Sequence, residues 1–314
     1  MKDRHANVYK IKHSQLGQKP SLAENLSVND ICFYQFVGGN AEDNERLLER
    51  IHTIRERCGL LIAVFRFPYR FEGKQRARTA IRQYYLMKKW CDGMIYYLGD
   101  GMMEKIEPGT PMKEAHEKFV AFEESCIHSM MELVDTPGEM NIDVSDIQSF
   151  VKRSDGPLFL HTIEGDVFNE PLKHIISEPY LPFDFTEGKE LILNIGYTKD
   201  IDMNSYQQIN LRIHDLFHKA DLVKLGTYYM DEPGTKLKIT LFVNHLDDPF
   251  PPEESLHTLS LKMLREKWKS LFYKRKQGEG VYQKEHVTPI PHEENDPETV
   301  SEEKEQSLFY KKGL

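Results

Sequence analysis

Three near-continuous apolar runs constrain this chain more than any other feature: residues 30–37, 60–65 and 93–98. A strand covered on both faces loses the polar–apolar alternation of a half-exposed one, so these runs read as buried strands. Between the first two lies a charged segment, 42–57, with Leu47, Leu48, Ile51 and Ile54 on one stripe. That is an amphipathic helix, and Gly59 is its natural stop. Residues 76–90 and 111–134 also read as helices. Strand and helix in alternation predict a parallel sheet with right-handed crossovers and sequential strands side by side.

After Asp146 the pattern changes. Residues 157–164 and 191–196 read as strands and 205–220 as a helix. Residues 222–230 and 236–245 read as a strand pair around Asp231-Glu232-Pro233-Gly234, a hairpin turn. Beyond Pro252 come a basic amphipathic helix to about residue 276 and a polar tail, expected to be disordered, with Pro289, Pro291 and Pro297. The expected fold class is α/β: a truncated Rossmann-like parallel sheet over 1–139, then an α+β two-layer domain over 140–252. Residues 253–276 form the basic helix and 277–314 the tail.

The 314-residue chain is 39% apolar, enough for a core, and its net charge of −9 argues against a nucleic-acid partner. No stretch is long and apolar enough to read as a signal peptide or a membrane span. Cys32, Cys58, Cys91 and Cys126 lack metal spacing, and a reduced cytoplasmic protein is the expectation.

Three stretches resemble one family. Arg66-Phe67-Pro68-Tyr69-Arg70-Phe71-Glu72-Gly73-Lys74-Gln75-Arg76 comes after a buried strand. Pro137-Gly138-Glu139-Met140-Asn141-Ile142-Asp143-Val144-Ser145-Asp146 opens the second domain. Ile176-Ser177-Glu178-Pro179-Tyr180-Leu181 precedes Leu191-Ile192-Leu193-Asn194-Ile195-Gly196. In order and in register, they resemble FtsZ, the bacterial division protein of the tubulin superfamily.

That resemblance implies GTP or GDP with Mg²⁺ on two Gly-rich loops, after the family's first and fourth strands. The first loop would lie before residue 30, where there is no Gly cluster. The second corresponds to Gly38-Gly39-Asn40-Ala41-Glu42-Asp43, whose carboxylates would repel a phosphate. The base-reading aspartate falls at about Ala121, the stacking phenylalanine at about His116, and a further asparagine at Gly99. Glu72 and Arg76 do match nucleotide contacts, with Gly38 and Gly39 as what remains of the phosphate loop. The expectation is therefore no cofactor, or GTP/GDP with Mg²⁺ if the pocket is intact. In the family, the loop matched by Asn141, Asp143 and Asp146 enters the neighbouring subunit's pocket and polarises the attacking water. The residues alone admit a second reading, an Asx cluster capping the helix that starts there.

Other signals are weaker. His214 and His218 have metal-pair spacing but no third ligand nearby, and nothing orients Cys126 and His128 as a nucleophile. The 261–276 helix could lie on a membrane surface or pack on the second domain. Ser270-Leu271-Phe272-Tyr273-Lys274 recurs at Ser307-Leu308-Phe309-Tyr310-Lys311, as a tail-docking peptide would. Without neighbours, strand 30–37 is an exposed apolar edge, so residues 8–11 or a second chain should cover it. The expected function is a non-catalytic FtsZ-like subunit that binds FtsZ or itself and caps or modulates a filament. A nucleotide-independent self-assembling protein and a GTPase with a rebuilt pocket are the alternatives.

Overall fold

The computed structural model describes residues 6–16, 23–166, 178–182, 184–231 and 236–251. The expected helix at 253–276, the tail and the repeated peptide lie outside the described residues.

The apolar runs are strands β2 (Ile31–Val37), β3 (Leu60–Phe67) and β4 (Gly93–Leu98). All pair in parallel, and β1 (Val8–Lys12) adds a fourth strand, giving the order β1-β2-β3-β4. The edge of β2 is thus covered by the chain's own residues, Val8 opposite Ile31 through Lys12 opposite Gln35. Among the described residues β1 is itself the edge. Its Lys10 and Lys12 both reach Glu124, at 2.9 and 3.2 Å, placing charge where an open strand would otherwise invite pairing.

Helices α1 (His13–Leu16), α2 (Asp43–Arg55) and α3 (Lys74–Trp90) lie among the crossovers. Leu47, Ile51 and Ile54 of α2, with Tyr84 and Met87 of α3, pack on Tyr34, Phe36, Ala63 and Phe65. The opposite face of the sheet, with Phe33, Ile62, Val64 and Ile95, belongs to a second core with α5 (Met112–Asp135). That core runs on through Phe150, Phe159, Leu193 and Phe242. A short helix, α4 (Gly99–Glu104), comes after β4; Gly99 and Gly101 in its first turn mask it in the sequence.

The second sheet holds β5 (Phe159–Gly165), β6 (Glu190–Tyr197), β7 (Leu222–Tyr229) and β8 (Leu237–Asn244) in the order β5-β8-β6-β7. The hairpin expectation is wrong. β7 runs parallel to β6 after the crossover α7 (Met203–Leu216), while β8 lies antiparallel on the other side of β6. The turn-rich sequence at 231–234 therefore joins strands separated by β6. Residues 191–196 of β6 are all buried, as suits a strand in the interior of the sheet with both faces covered.

Candidate functional site

In open parallel sheets ligands bind outside the carboxyl ends of the strands. Here the strands end at Lys12, Val37, Phe67 and Leu98, and the segments leaving them build that edge. After β2 the chain turns at Gly38 and Gly39. Gly39 has φ of +110°, and a Cβ there would stand 2.4 Å from Arg76 Cγ. A Cβ on Gly38 would stand 2.4 Å from Phe65 Cζ. Packing against β3 and α3 therefore demands both glycines, whatever binds.

The Gly39 N–H donates to Gln83 Oε1 at 2.7 Å. Gln83 Nε2 in turn donates to the Asn40 carbonyl at 2.6 Å and to Asn44 Oδ1 at 2.8 Å. The start of α2 would otherwise favour an anion, but Glu42, Asp43 and Glu45 already crowd it. From the end of β1, buried His13 shares a hydrogen bond between Nδ1 and the Tyr34 hydroxyl, and its Nε2 stands 3.4 Å from Asp43 Oδ1. Arg50 donates to the His13 carbonyl at 2.7 Å. Burial, then the Arg50 charge, push the His13 pKa down against the pull of Asp43, so the ring is held neutral.

After β3, Glu72 accepts from the Tyr69 N–H at 2.9 Å and pairs with Arg76 Nε at 2.8 Å. Glu72 and Arg76 thus bind each other on the rim of the edge. Phe71 is 72% exposed and lies parallel to the Tyr69 ring, 5.1 Å away. Arg70 holds buried Asp100 at 2.6 Å after β4. Beneath α5, Arg66 pairs with Glu123 at 2.8 Å. His116 and Ala121, on the same helix, are exposed.

The 137–146 loop lies at the other end of α5. That helix has 24 residues and is about 36 Å long. The two groups of candidate residues are thus separated by the helix, and can meet only between two subunits. The Gly138 N–H donates to Asn141 Oδ1 at 2.9 Å. Met140 bridges Thr227 on β7, with Thr227 N–H donating to the Met140 carbonyl at 3.1 Å. Asp143 caps α6 (Val144–Arg153), and Asp146 accepts from the Asp143 N–H at 2.9 Å. The capping geometry is therefore present. Asn141 and Asp143 are exposed, whereas half-buried Asp146 is paired with Lys224 of β7. Partial burial pushes the Asp146 carboxyl up, but the Lys224 ammonium and the Asp143 N–H outweigh it and hold it below the ordinary value. Replacing Lys224 with methionine should raise the Asp146 pKa in a carboxyl NMR titration. It should cost about 0.2–1 kcal/mol of stability, as a half-exposed pair does.

Gln83, His13 and Lys224 were not anticipated from the sequence. Gln83 alone left a trace: it is a polar residue in register with Ala80, Tyr84 and Met87 on the buried face of α3. Cys126 is buried with its pKa pushed up to about 12, while His128 points outward, so they form no nucleophile pair. His214 and His218 are exposed, and among the described residues no three His, Cys, Asp or Glu are grouped to hold a metal. No helix among the described residues is long and apolar enough to cross a membrane.

A parallel sheet joined by one long helix to a mixed sheet, with an acidic loop at the far end of that helix, is the two-part tubulin-type fold. No protein-family model matches the chain. It is 24% identical over 196 residues to the cell division protein FtsZ of Buchnera aphidicola, a match covering 61% of this chain and 51% of that protein. An empty FtsZ dimer from M. jannaschii superposes with a TM-score of 0.56 at 16% identity, covering 74% of this chain and 66% of that one. A GTPγS-bound protofilament of CetZ2 from Haloferax volcanii gives 0.55 at 12% identity, covering 86% and 77%. The chain has the FtsZ/tubulin fold and is similar in sequence to FtsZ, and it spans about half the length of the curated FtsZ it matches.

Proposed function

We propose that this protein is an FtsZ-like subunit that joins a neighbour, itself or FtsZ, head to tail without holding a nucleotide of its own. The observation that carries the reading is the Gly38–Gly39 turn. Its Gly39 amide is satisfied by a buried side chain, and three carboxylates stand at the helix start beside it. A phosphate arriving there would have to displace Gln83 and face like charge.

The surface supports the head-to-tail part. Val37, Phe71, Met103 and Met112 are exposed apolar residues at the carboxyl edge of the parallel sheet, beside exposed Lys74, Arg76 and Arg78. The opposite end exposes Met140, Leu222, Val223 and Tyr229, beside exposed Glu139 and Asp143. Exposed apolar side chains at both ends suit a contact between them. That FtsZ forms a dimer and CetZ2 a protofilament agrees with this arrangement.

The test is calorimetric titration of the full chain with GTP, GDP and Mg²⁺, beside light scattering without nucleotide and in the presence of FtsZ. The expected result is no heat at millimolar nucleotide, with scattering by the protein alone or a changed FtsZ assembly. Phe71→Asp should lower the association at least about tenfold while leaving the melting temperature nearly unchanged, since the ring is exposed. Micromolar nucleotide binding would overturn the reading. A second role is favoured by the exposure of Asn141 and Asp143: inserted into an FtsZ pocket, they would activate hydrolysis there. Asp143→Ala would then lower the FtsZ GTPase rate without weakening the contact.

A further inference from the structure

We propose that Gln83 is a built-in substitute for a bound phosphate, holding the 38–44 turn in one conformation with no ligand. This rests on the function proposed for the chain and deepens it. In nucleotide-switched proteins, phosphate oxygens accept the N–H groups of a Gly-rich turn, and the turn loses its order when they leave. Here the acceptor is the Gln83 carboxamide oxygen, 2.7 Å from the Gly39 nitrogen. Its amide nitrogen does what a phosphate cannot, donating to the Asn40 carbonyl and to Asn44 Oδ1, at 2.6 and 2.8 Å. Three bonds thus tie both ends of the turn to the middle of α3. Gln83 is 1% exposed, so water does not compete for them.

The charge of the surroundings explains why a carboxamide serves. Glu42, Asp43 and Glu45 surround the start of α2. An anion there would be repelled, and a glutamate in place of Gln83 would add to the repulsion. A neutral group with an acceptor and a donor meets the same hydrogen bonds without net charge. His13, standing against Asp43, supports the turn from the β1 side. The consequence is a sheet edge that is always in its ordered state. Association through it should be independent of nucleotide, and Gln83 is a positioning residue for that contact although its side chain never reaches the surface.

Amide hydrogen exchange on the full chain, with inorganic phosphate as the probe, tests this. In the wild-type protein the Gly39 amide should exchange slowly, and millimolar phosphate should not change it. In Gln83→Leu, which keeps an apolar body on the buried face of α3, exchange over residues 39–44 should rise roughly tenfold while the strands stay protected. Nucleotide-free association should fall in parallel. Gln83→Glu should keep Gly39 protected, through its remaining acceptor, and raise exchange at the Asp43 and Asn44 amides, whose bonds to the Asn40 and Ala41 carbonyls loosen when the donor to Asn40 and Asn44 is lost. This variant decides the matter if the leucine variant fails to fold. Unchanged exchange in both variants, or slower wild-type exchange on adding phosphate, would overturn the proposal. If the wild-type protein associates with neither itself nor FtsZ, the functional reading fails, while the exchange result still decides the role of Gln83.

Discussion

Replacing Arg66 with leucine should cost about 3–5 kcal/mol of stability, the usual penalty for removing one partner of a buried ion pair. Arg66 is on β3 and Glu123 on α5, with side chains 18% and 11% exposed and 2.8 Å apart. Burial already raises the Glu123 pKa, against the pull of Arg66 and Lys12. Without the guanidinium the carboxyl should take up a proton more readily, which limits the loss. The double variant Arg66→Leu with Glu123→Leu should recover most of it, because no uncompensated charge remains. Urea unfolding of the two variants checks this. A single-variant loss under about 1 kcal/mol would show that water reaches Glu123 freely.

Lowering the pH from about 6.5 to about 4 should remove about 3 kcal/mol of stability through His161 alone, taking 1.36 kcal/mol per pKa unit. Burial pushes the pKa of this histidine down from 6.5 to about 4. Below 6.5 the unfolded chain binds a proton that the folded chain refuses, so stability falls until the folded pKa is reached and then levels off. His13 is lowered in the same direction and adds to the fall. Glu123 and Asp184, raised by burial, bind their protons more readily when folded and offset part of it. Urea midpoints at about pH 7.5, 5.5 and 4.5 measure the slope. His161→Phe should flatten it, and an unchanged slope would mean that the ring is solvated.

Much of the fold is legible in the sequence, for identifiable reasons. β2, β3 and β4 announce themselves because a doubly covered strand needs apolar residues at both parities. The covering of β2 by residues 8–11 obeys the same logic of edges. The pairing of β7 and β8 is not legible, because local turn chemistry at 231–234 says nothing about a third strand between them. At the sheet edge the composition of the 38–43 turn is plain, but its closure is not. Gln83 lies 44 residues from Gly39, and no local pattern reports a contact of that span. In the acidic loop Asp146 makes the capping contact that its residue type suggests. It serves the helix start, as an Asx residue should, and Lys224 from a distant strand neutralises it.

In the proposed head-to-tail contact the length of α5 would also govern growth. A surface at one end of a 24-residue helix and a different surface at the other make a heterologous contact. Each addition would leave one free end of each kind. Assembly through these ends would therefore be polar, open-ended where the rotation between subunits closes no ring, and a subunit damaged at one end would still add through the other. Small amounts of the Phe71→Asp protein should shorten wild-type polymers out of proportion to their share, by terminating growth at a single end.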